Sequence, residues 1–283
     1  MPSRKTSGKK PAGKKKSEGS ADSPDSPVRI CFDRVIPHEY APARTTSLMA
    51  AIKSATSGGP GAHLEAGGVV LAPAHMAVVL SKKWPSGSTL KCRFLDGSSF
   101  MKKKAQQKAQ IWESYANIKL KFVTSGDAQV RISFYADAGS WSAIGTDALV
   151  QSYFPKYQPT MNFGWLRDNT DDEEYERVVV HEFGHALGCI HEHQSPNAKL
   201  DWNTAAVYQY FSGPPNYWSK QDIDSNVLET YSPKGIGDTI FDKASIMLYQ
   251  FDGKLFKDGK GTPLNTHLSQ LDKQFIAQMY PKK

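Results

Sequence analysis

The chain has 283 residues, of which 39% are hydrophobic and 22% are charged, and its formal charge at pH 7 is +7. This length and composition suit one large folded core or two modest ones, and they exclude a wholly disordered or fibrous protein. The longest apolar run, GGVVLAPAHMAVVL, is too short to span a membrane, and three cysteines are too few for a disulfide framework.

Residues 1–27 are predicted to form a disordered basic tail. They are rich in Lys, Ser, Pro and Gly, and they contain too little apolar surface to fold. The tail supplies +4 of the net charge and leaves only +3 for the remainder, which argues against nucleic-acid binding by the folded part. We interpret the tail as a solvating segment, with a nuclear-localisation or anion-binding patch as the alternative.

No hydrophobic signal region follows the first methionine. A cytoplasmic or nuclear location is therefore expected, with unconventional secretion as an open alternative. The sparse and odd cysteine count also favours a reducing compartment. Residues 28–82 follow as an N-terminal extension of uncertain role, in which VRICFDRVIPHEYAP predicts a strand and a turn, and TTSLMAAIKSAT predicts a short helix.

A long helix is predicted to end at Leu187. Thr170 and Glu173 have the spacing of a capping box, and four acidic residues crowd the first turn, where the helix dipole favours negative charge. Capping accounts for this acidic cluster, and a calcium site is the alternative. Gly188 then stands where the chain must turn, because glycine accepts the positive φ of a helix end.

Three histidines in this stretch have the spacing of a zinc site. His181 and His185 are four residues apart and therefore share one face of the helix, and the turn at Gly188 brings His191 toward them. Three neutral histidines leave one position open for water, which is typical of a catalytic rather than a structural zinc. An isolated HExxH also occurs by chance in ordinary helices, but the longer pattern ending at His191 fixes five positions. The sequence predicts one Zn²⁺ per chain.

A second stretch, ASIMLY, contains Met247 and Tyr249 in the arrangement of a methionine turn beneath a zinc ion. Glu192 follows the third histidine directly and completes H-E-x-x-H-x-x-G-x-x-H-E. With these two motifs the chain resembles the astacin-like (peptidase M12A-type) zinc metalloproteases of the metzincin clan, roughly over residues 83–283.

The resemblance implies an α+β, zincin-like fold, with a twisted mixed sheet, a backing helix at about Lys102 to Tyr115 and an active-site helix. The catalytic domain would span residues 83–283, with an upper half at 83–193 and a loop-rich lower half at 194–283. Similar stretches supply three strands, an edge strand and a closing helix: WPSGSTLKCRFL, IKLKFV, QVRISF, GSWSAIG and LSQLDKQFIAQMY.

The resemblance also implies a mechanism. Glu182 would take a proton from the zinc-bound water as general base and pass it to the leaving amine. Tyr249 would hydrogen-bond the tetrahedral oxyanion, and Met247 would form an apolar floor. An extended peptide would add to the edge strand as one more strand. The candidate substrate-binding residues on that strand are Trp141, Ser142 and Ala143.

Three features depart from the astacin pattern. The usual two disulfides are missing, and Leu248 occupies a place where many astacins have a histidine. Glu192 has no evident cleaved N-terminus to pair with, which leaves a buried Arg or Lys, or an internal amine, as its partner. Metzincins are often kept latent by an N-terminal residue on the zinc, and Cys31 and Asp33 are the candidates here, unless residues 28–82 form a permanent extra layer.

The sequence therefore predicts a monomeric zinc metalloendopeptidase that acts on protein or peptide substrates, without membrane or nucleic-acid partners. The alternative is a catalytically weak zinc- and peptide-binding protein of the same fold. Retention of Glu182 argues against that alternative, because a binding protein needs no general base.

Overall fold

The computed structural model describes residues 32–34, 78–136, 139–214, 216–232, 236–237 and 240–282. The basic tail, the short helix predicted within TTSLMAAIKSAT and the latency candidate Cys31 lie outside these residues.

Six strands in this part of the chain form one mixed sheet with the order β1-β6-β7-β5-β3-β4. Strands β3, β4, β5 and β7 run parallel, β6 is antiparallel to β7, and β1 is parallel to β6. The fully buried strands β5, β6 and β7 lie in the middle of the sheet, as expected for strands covered on both faces. The strands are β1 (Phe32–Arg34), β3 (Thr89–Phe94), β4 (Lys119–Phe122), β5 (Val130–Ser133), β6 (Ser140–Ala143) and β7 (Met161–Phe163).

Helix α1 (Ser99–Ala109) packs behind the sheet, and a 3₁₀ turn at Gln110–Ser114 extends it. Met101, Ala105 and Ala109 recur every four residues, so they share one face, and all three are buried. The predicted backing helix is therefore present, but its α-helical part ends six residues before Tyr115 because the last turn tightens.

Helix α2 (Asp172–Ala186) carries the histidine motif and packs against α1. Its N-cap is Asp171, whose carboxylate accepts a hydrogen bond from the Glu174 N–H at 2.7 Å. The predicted capping box with Thr170 is wrong, since the helix begins one residue later and Thr170 Oγ1 accepts instead from the Arg167 N–H. The acidic first turn is neutralised by nearby cations, with Asp172 paired to Lys104 and Lys108.

The lower half is built around a second core of aromatic and aliphatic side chains, which includes Tyr249 and Phe251. The closing helix returns to the upper half, where Phe275 and Ile276 enter the main core. The helices of this half are α3 (Thr204–Ser212), α4 (Lys220–Ile223), followed by a π-turn at Asp224–Leu228, and α5 (Gln270–Met279).

A strap formed by residues 78–84 crosses the end of α2. Its strand β2 (Val78–Val79) pairs antiparallel with β8 (Ile236–Gly237), and Val78 is fully buried in the main core. The strap begins before residue 83, so packing against α2 extends into the predicted N-terminal extension. Within the described residues, no helix is both long and apolar enough to cross a membrane.

Candidate metal centre

The C-terminal half of α2 is buried and holds two of the predicted zinc ligands. His181 is 4% exposed and His185 is fully buried, and their Nε2 atoms lie 3.1 Å apart. Each Nδ1 contacts a carbonyl oxygen, His181 that of Ile246 at 2.8 Å and His185 that of Cys189 at 2.9 Å. Because a carbonyl oxygen can only accept, Nδ1 carries the proton and the Nε2 lone pairs face each other.

The chain turns after α2 as the sequence predicts, at Gly188 with a φ of +97°. Helix ends leave carbonyl oxygens unsatisfied, and here residues from distant parts of the chain supply the donors. Trp84 Nε1 donates to the Ala186 oxygen at 2.7 Å, and the Tyr280 hydroxyl donates to the Leu187 oxygen at 2.6 Å. The Val79 N–H donates to the Gly188 oxygen at 3.0 Å. These bonds fix the direction in which the chain leaves the helix.

The turn delivers His191 to the same point, with its Nε2 3.1 Å from that of His185. The three histidines form a buried group whose ligand atoms all lie within 4.8 Å of one another. A tetrahedral ion with Zn–N bonds of about 2.0–2.1 Å would hold its nitrogens about 3.3 Å apart, so the donor set fits zinc. Burial, with the neighbouring His185 and His191 rings, lowers the pKa of His181 well below its usual value, which favours the neutral form that binds a metal.

Met247 lies against α2 beneath the histidines and is fully buried. A Cβ at Gly184 would meet its Sδ at 2.5 Å, so the absence of a side chain at Gly184 makes this contact possible. The Met247 carbonyl accepts from the Glu192 N–H at 2.9 Å, which ties the methionine turn to the segment just after His191. Met247 therefore forms a floor and supplies no ligand atom to the histidine group.

Tyr249 stands beside the histidines. Its ring centroid is 4.0 Å from that of His191 and 5.7 Å from that of His181, and 5% of the residue is exposed. Glu182 is fully buried on α2 next to His181. The structure thus places both predicted catalytic residues next to the predicted ligands.

Asp272 of α5 was not among the predicted site residues, yet it anchors the methionine turn. Its carboxylate accepts from the Ser245 hydroxyl at 2.7 Å and from the Ile246 N–H at 2.8 Å. The Ile246 carbonyl in turn accepts from His181. Burial raises the pKa of Asp272 to about 6 despite these hydrogen bonds. The only sequence signal was Ser269 three residues earlier, the spacing of a helix cap, which reveals nothing about the contact with residue 246.

Glu192 contacts a backbone group that the sequence analysis did not consider. Its Oε1 accepts from the backbone N–H of Asp242 at 2.7 Å, and the residue is fully buried. His193, likewise not predicted, stacks on the His191 and Tyr249 rings at centroid distances of 5.3 and 5.0 Å. Its Nε2 lies 3.0 Å from the Asn226 carbonyl oxygen, which joins the site to the lower half.

The three candidate substrate-binding residues lie in strand β6, and all are buried. Strand β1 lies along them in parallel register, with Trp141 opposite Phe32, Ser142 opposite Asp33 and Ala143 opposite Arg34. In this structure the edge predicted to receive a peptide is therefore covered by the chain's own N-terminal segment.

Comparison with known proteins agrees with this geometry. The matrixin family (peptidase M10) matches residues 83–224, about half of the chain. A solved structure of myroilysin is 46% identical, covers 73% of this chain and 99% of its own, and superposes with a TM-score of 0.71. The chain belongs to the metzincin-type zinc metalloproteases. A second structure of myroilysin is 44% identical, covers 71% of this chain and 87% of its own, and has a TM-score of 0.56.

A search of curated proteins finds no match to this chain. Membership in the clan confirms the predicted α+β, zincin-like fold and makes Zn²⁺ the cofactor. The matrixin match and the astacin-like motifs point to different branches of the clan, so the branch is part of the proposal below.

Proposed function

We propose that this metzincin is an active zinc endopeptidase of the astacin type. The observation that carries the proposal is the convergence of the His181, His185 and His191 Nε2 atoms beside a buried Glu182. Three neutral nitrogen ligands with a carboxylate next to the first of them make up the protein part of a hydrolytic zinc site. The astacin assignment is supported by Glu192 directly after the third histidine and by Tyr249 after the methionine turn.

When bound, zinc supplies a Lewis acid that polarises the scissile carbonyl and lowers the pKa of water. Glu182 then does the proton transfer, first accepting a proton from the attacking water and later giving it to the leaving amine. Its complete burial keeps the carboxylate away from bulk solvent and fixed beside His181. The Tyr249 hydroxyl donates to the oxygen of the tetrahedral intermediate.

The peptide substrate binds along β6 by adding one strand to the sheet. Trp141, Ser142 and Ala143 offer their backbone groups on the edge that β1 now occupies. A substrate and β1 cannot pair with the same edge at once, so β1 must leave before a long peptide binds. Of the two latency candidates, Asp33 lies in β1 opposite Ser142, and Cys31 precedes it outside the described residues.

The test is peptide-library digestion by the zinc-loaded protein beside a Glu182→Gln variant. Glutamine keeps the size of the side chain and removes its ability to accept the proton, so zinc content and fold should persist. Proteolysis should fall by about 10²–10⁴-fold, the usual contribution of a general base. Cleavage at the wild-type rate by Glu182→Gln would rule out the mechanism. A wild-type protein that binds zinc and peptides without cutting them would support the catalytically weak alternative.

A further inference from the structure

The outer face of the sheet, which points away from the main core, carries basic residues on strands β3, β4 and β5. Successive residues of a strand point to opposite faces, and the core face of these strands carries apolar residues such as Leu90 and Leu120. Phe122 on that core face contacts Phe183 of α2, so the outer face lies on the far side of the sheet from α2 and the metal centre. The basic residues of the outer face are Lys91, Arg93, Lys119, Lys121 and Arg131.

Strand pairing places like charges directly beside each other on this face. Lys91 is in register with Lys121 of β4, and Arg93 is in register with Arg131 of β5. Neighbouring strands are about 4.8 Å apart and alternate residues of one strand about 6.6 Å, so the basic residues form a diagonal row. Within the described residues, no carboxylate pairs with Lys91, Lys119 or Lys121. Because like charges in register destabilise a sheet, the stability of the sheet does not explain this row.

Arg131 is a buried cation that has no acidic partner in the described part of the chain. It is 5% exposed, and its guanidinium donates to main-chain carbonyl oxygens, among them those of Gln158 at 2.6 Å and Phe154 at 3.0 Å. Carbonyl dipoles stabilise the guanidinium but do not cancel its charge. Burial and the neighbouring Arg93 lower the pKa of Arg131 from its usual value, as expected for a cation without a counter-charge.

A hollow of about 230 Å³ opens beside Arg131, next to the 3₁₀ turn Gly145–Leu149. Asp127 is the acidic residue of its lining, and it pairs with Lys156 at 3.0 Å. Both side chains of this pair are exposed, so the pair can open at little cost. The lining also contains the cations Lys91 and Arg131, the amides of Gln129 and Gln151, and the apolar side chain of Leu149.

This combination of groups fits an extended acidic polypeptide. An extended chain presents every second side chain on one side at a spacing of about 6.6 Å, which equals the spacing of the cations along one strand. Its amides and apolar side chains find matching groups in Gln129, Gln151 and Leu149. Single-stranded nucleic acids bind by stacking their bases on aromatic rings, and the lining of the hollow contains no such ring.

We propose that the outer face of β3, β4 and β5 is a docking surface for an extended acidic segment of a partner protein. The row of cations attracts the acidic side chains, and the hollow beside Arg131 receives one of the carboxylates. A partner bound here lies away from the metal centre. The inference therefore does not depend on the proposed endopeptidase activity.

Protection of the sheet edge is a simpler explanation for part of this pattern. Strand β4 is the last strand of the six-stranded sheet, and lysines on an edge strand hinder its pairing with another molecule. That explanation covers the two lysines of β4 but not the basic residues of β3 and β5, which lie inside the sheet. The edge is also closed in part by the chain itself, since the Leu120 N–H donates to Glu113 Oε1 at 2.7 Å.

Fluorescence anisotropy tests the proposal with a labelled peptide in which Glu and Ser alternate. All proteins are full-length, zinc-loaded and carry Glu182→Gln, so that cleavage of the probe does not interfere. The parent protein should bind the probe, and added salt should weaken the binding. Lys91→Gln combined with Lys121→Gln should weaken it about tenfold, because one exposed ion pair is worth up to about fivefold in affinity. The Tm should not fall, since neither lysine has a carboxylate partner in the described structure.

Two double variants are matched controls, because each also removes two positive charges. Lys103→Gln with Lys260→Gln removes two exposed lysines outside the outer face, and Lys9→Gln with Lys10→Gln removes two from the N-terminal segment. Neither control should change the affinity by more than about twofold. An equal loss of affinity in either control would show that only the net charge matters, and it would overturn the inference.

Other results would also overturn it. These are the absence of probe binding by the parent protein at low salt, and an unchanged affinity in the variant that lacks Lys91 and Lys121. Self-association of that variant with unchanged affinity would indicate edge protection alone. Tighter binding of a heparin oligosaccharide or an oligonucleotide of the same charge, with the same dependence on Lys91 and Lys121, would assign the face to another polyanion. Because binding alone is measured, a failure of the endopeptidase proposal would leave this test unaffected.

Discussion

At the scale of single residues, the position of Tyr249 beside the histidines suggests a specific role for its hydroxyl. Its ring lies 4.0 Å from the His191 ring, so it is close enough to serve the reacting group, but the histidines alone complete the donor set that fits zinc. A phenol beside such a site can donate one hydrogen bond to the developing oxyanion. Its contribution should therefore appear in the rate and leave metal binding almost unchanged.

Tyr249→Phe removes the hydroxyl and keeps the ring that packs on His191 and His193. We expect kcat to fall by about 10²–10³-fold, the usual cost of one oxyanion donor, with KM changed by a few-fold at most. Steady-state kinetics together with zinc analysis provide the check. Equal losses of zinc and activity would indicate a structural role, and an unchanged kcat would place Tyr249 in the core alone.

At the scale of elements, helix α5 supports the metal centre through its hydrogen bonds to the methionine turn. Asp272, in its first turn, holds the Ile246 N–H, and the Ile246 carbonyl receives the His181 Nδ1–H. The carboxylate is fully buried, and its pKa of about 6 lies above the ordinary value of 3.8 because burial disfavours the charged form. The folded protein therefore binds a proton at Asp272 more tightly than the unfolded chain does.

This difference has a definite sign in the pH dependence of stability. Between about pH 4 and pH 6 the folded state holds the Asp272 proton and the unfolded state has lost it, so this residue makes stability fall as pH rises through that window. Asp272→Asn removes the titration. In urea unfolding at several pH values, the slope of the unfolding free energy with pH should become more positive, by at most about 1.4 kcal/mol per pH unit. An identical slope in the variant would contradict the raised pKa.

At the scale of the whole molecule, local patterns were predictable and distant pairings were not. Eleven consecutive residues contain all three zinc ligands and the turn between them, so His181, His185 and His191 could be predicted together. The strand Met161–Phe163 was missed because three buried residues carry no periodic signal. Trp84 and Tyr280 donate hydrogen bonds to the last carbonyl oxygens of α2. Both residues are about 100 positions away from the end of α2 in the sequence, so these contacts depend on the complete fold.

The N-terminal segment shows the same limit, because a strand was predicted within VRICFDRVIPHEYAP but its pairing with β6 was not. The N-terminal region can therefore be divided into three parts, and the deletion of each part should affect the protein differently. Residues 1–27 precede the strand, Phe32–Arg34 pairs with the edge of β6, and Val79 hydrogen-bonds the Gly188 carbonyl at the end of α2. Three nested deletions can therefore separate a solvating tail, an inhibitory strand and a structural strap.

Deletion of residues 1–27 should leave activity toward a long peptide unchanged, since it keeps β1, the strand that pairs with β6. Deletion of residues 1–36 removes β1 as well and should raise kcat/KM by about tenfold or more, because the open edge no longer has to be vacated first. Deletion of residues 1–79 should lower both zinc content and Tm, because it also removes the buried Val78 and the N–H that binds Gly188. Steady-state kinetics, zinc analysis and thermal melting of the three deletion variants provide the check. Equal activity of the variants that lack residues 1–27 and 1–36 would mean that β1 does not compete with substrate. Wild-type zinc content and Tm in the variant that lacks residues 1–79 would mean that the strap is dispensable.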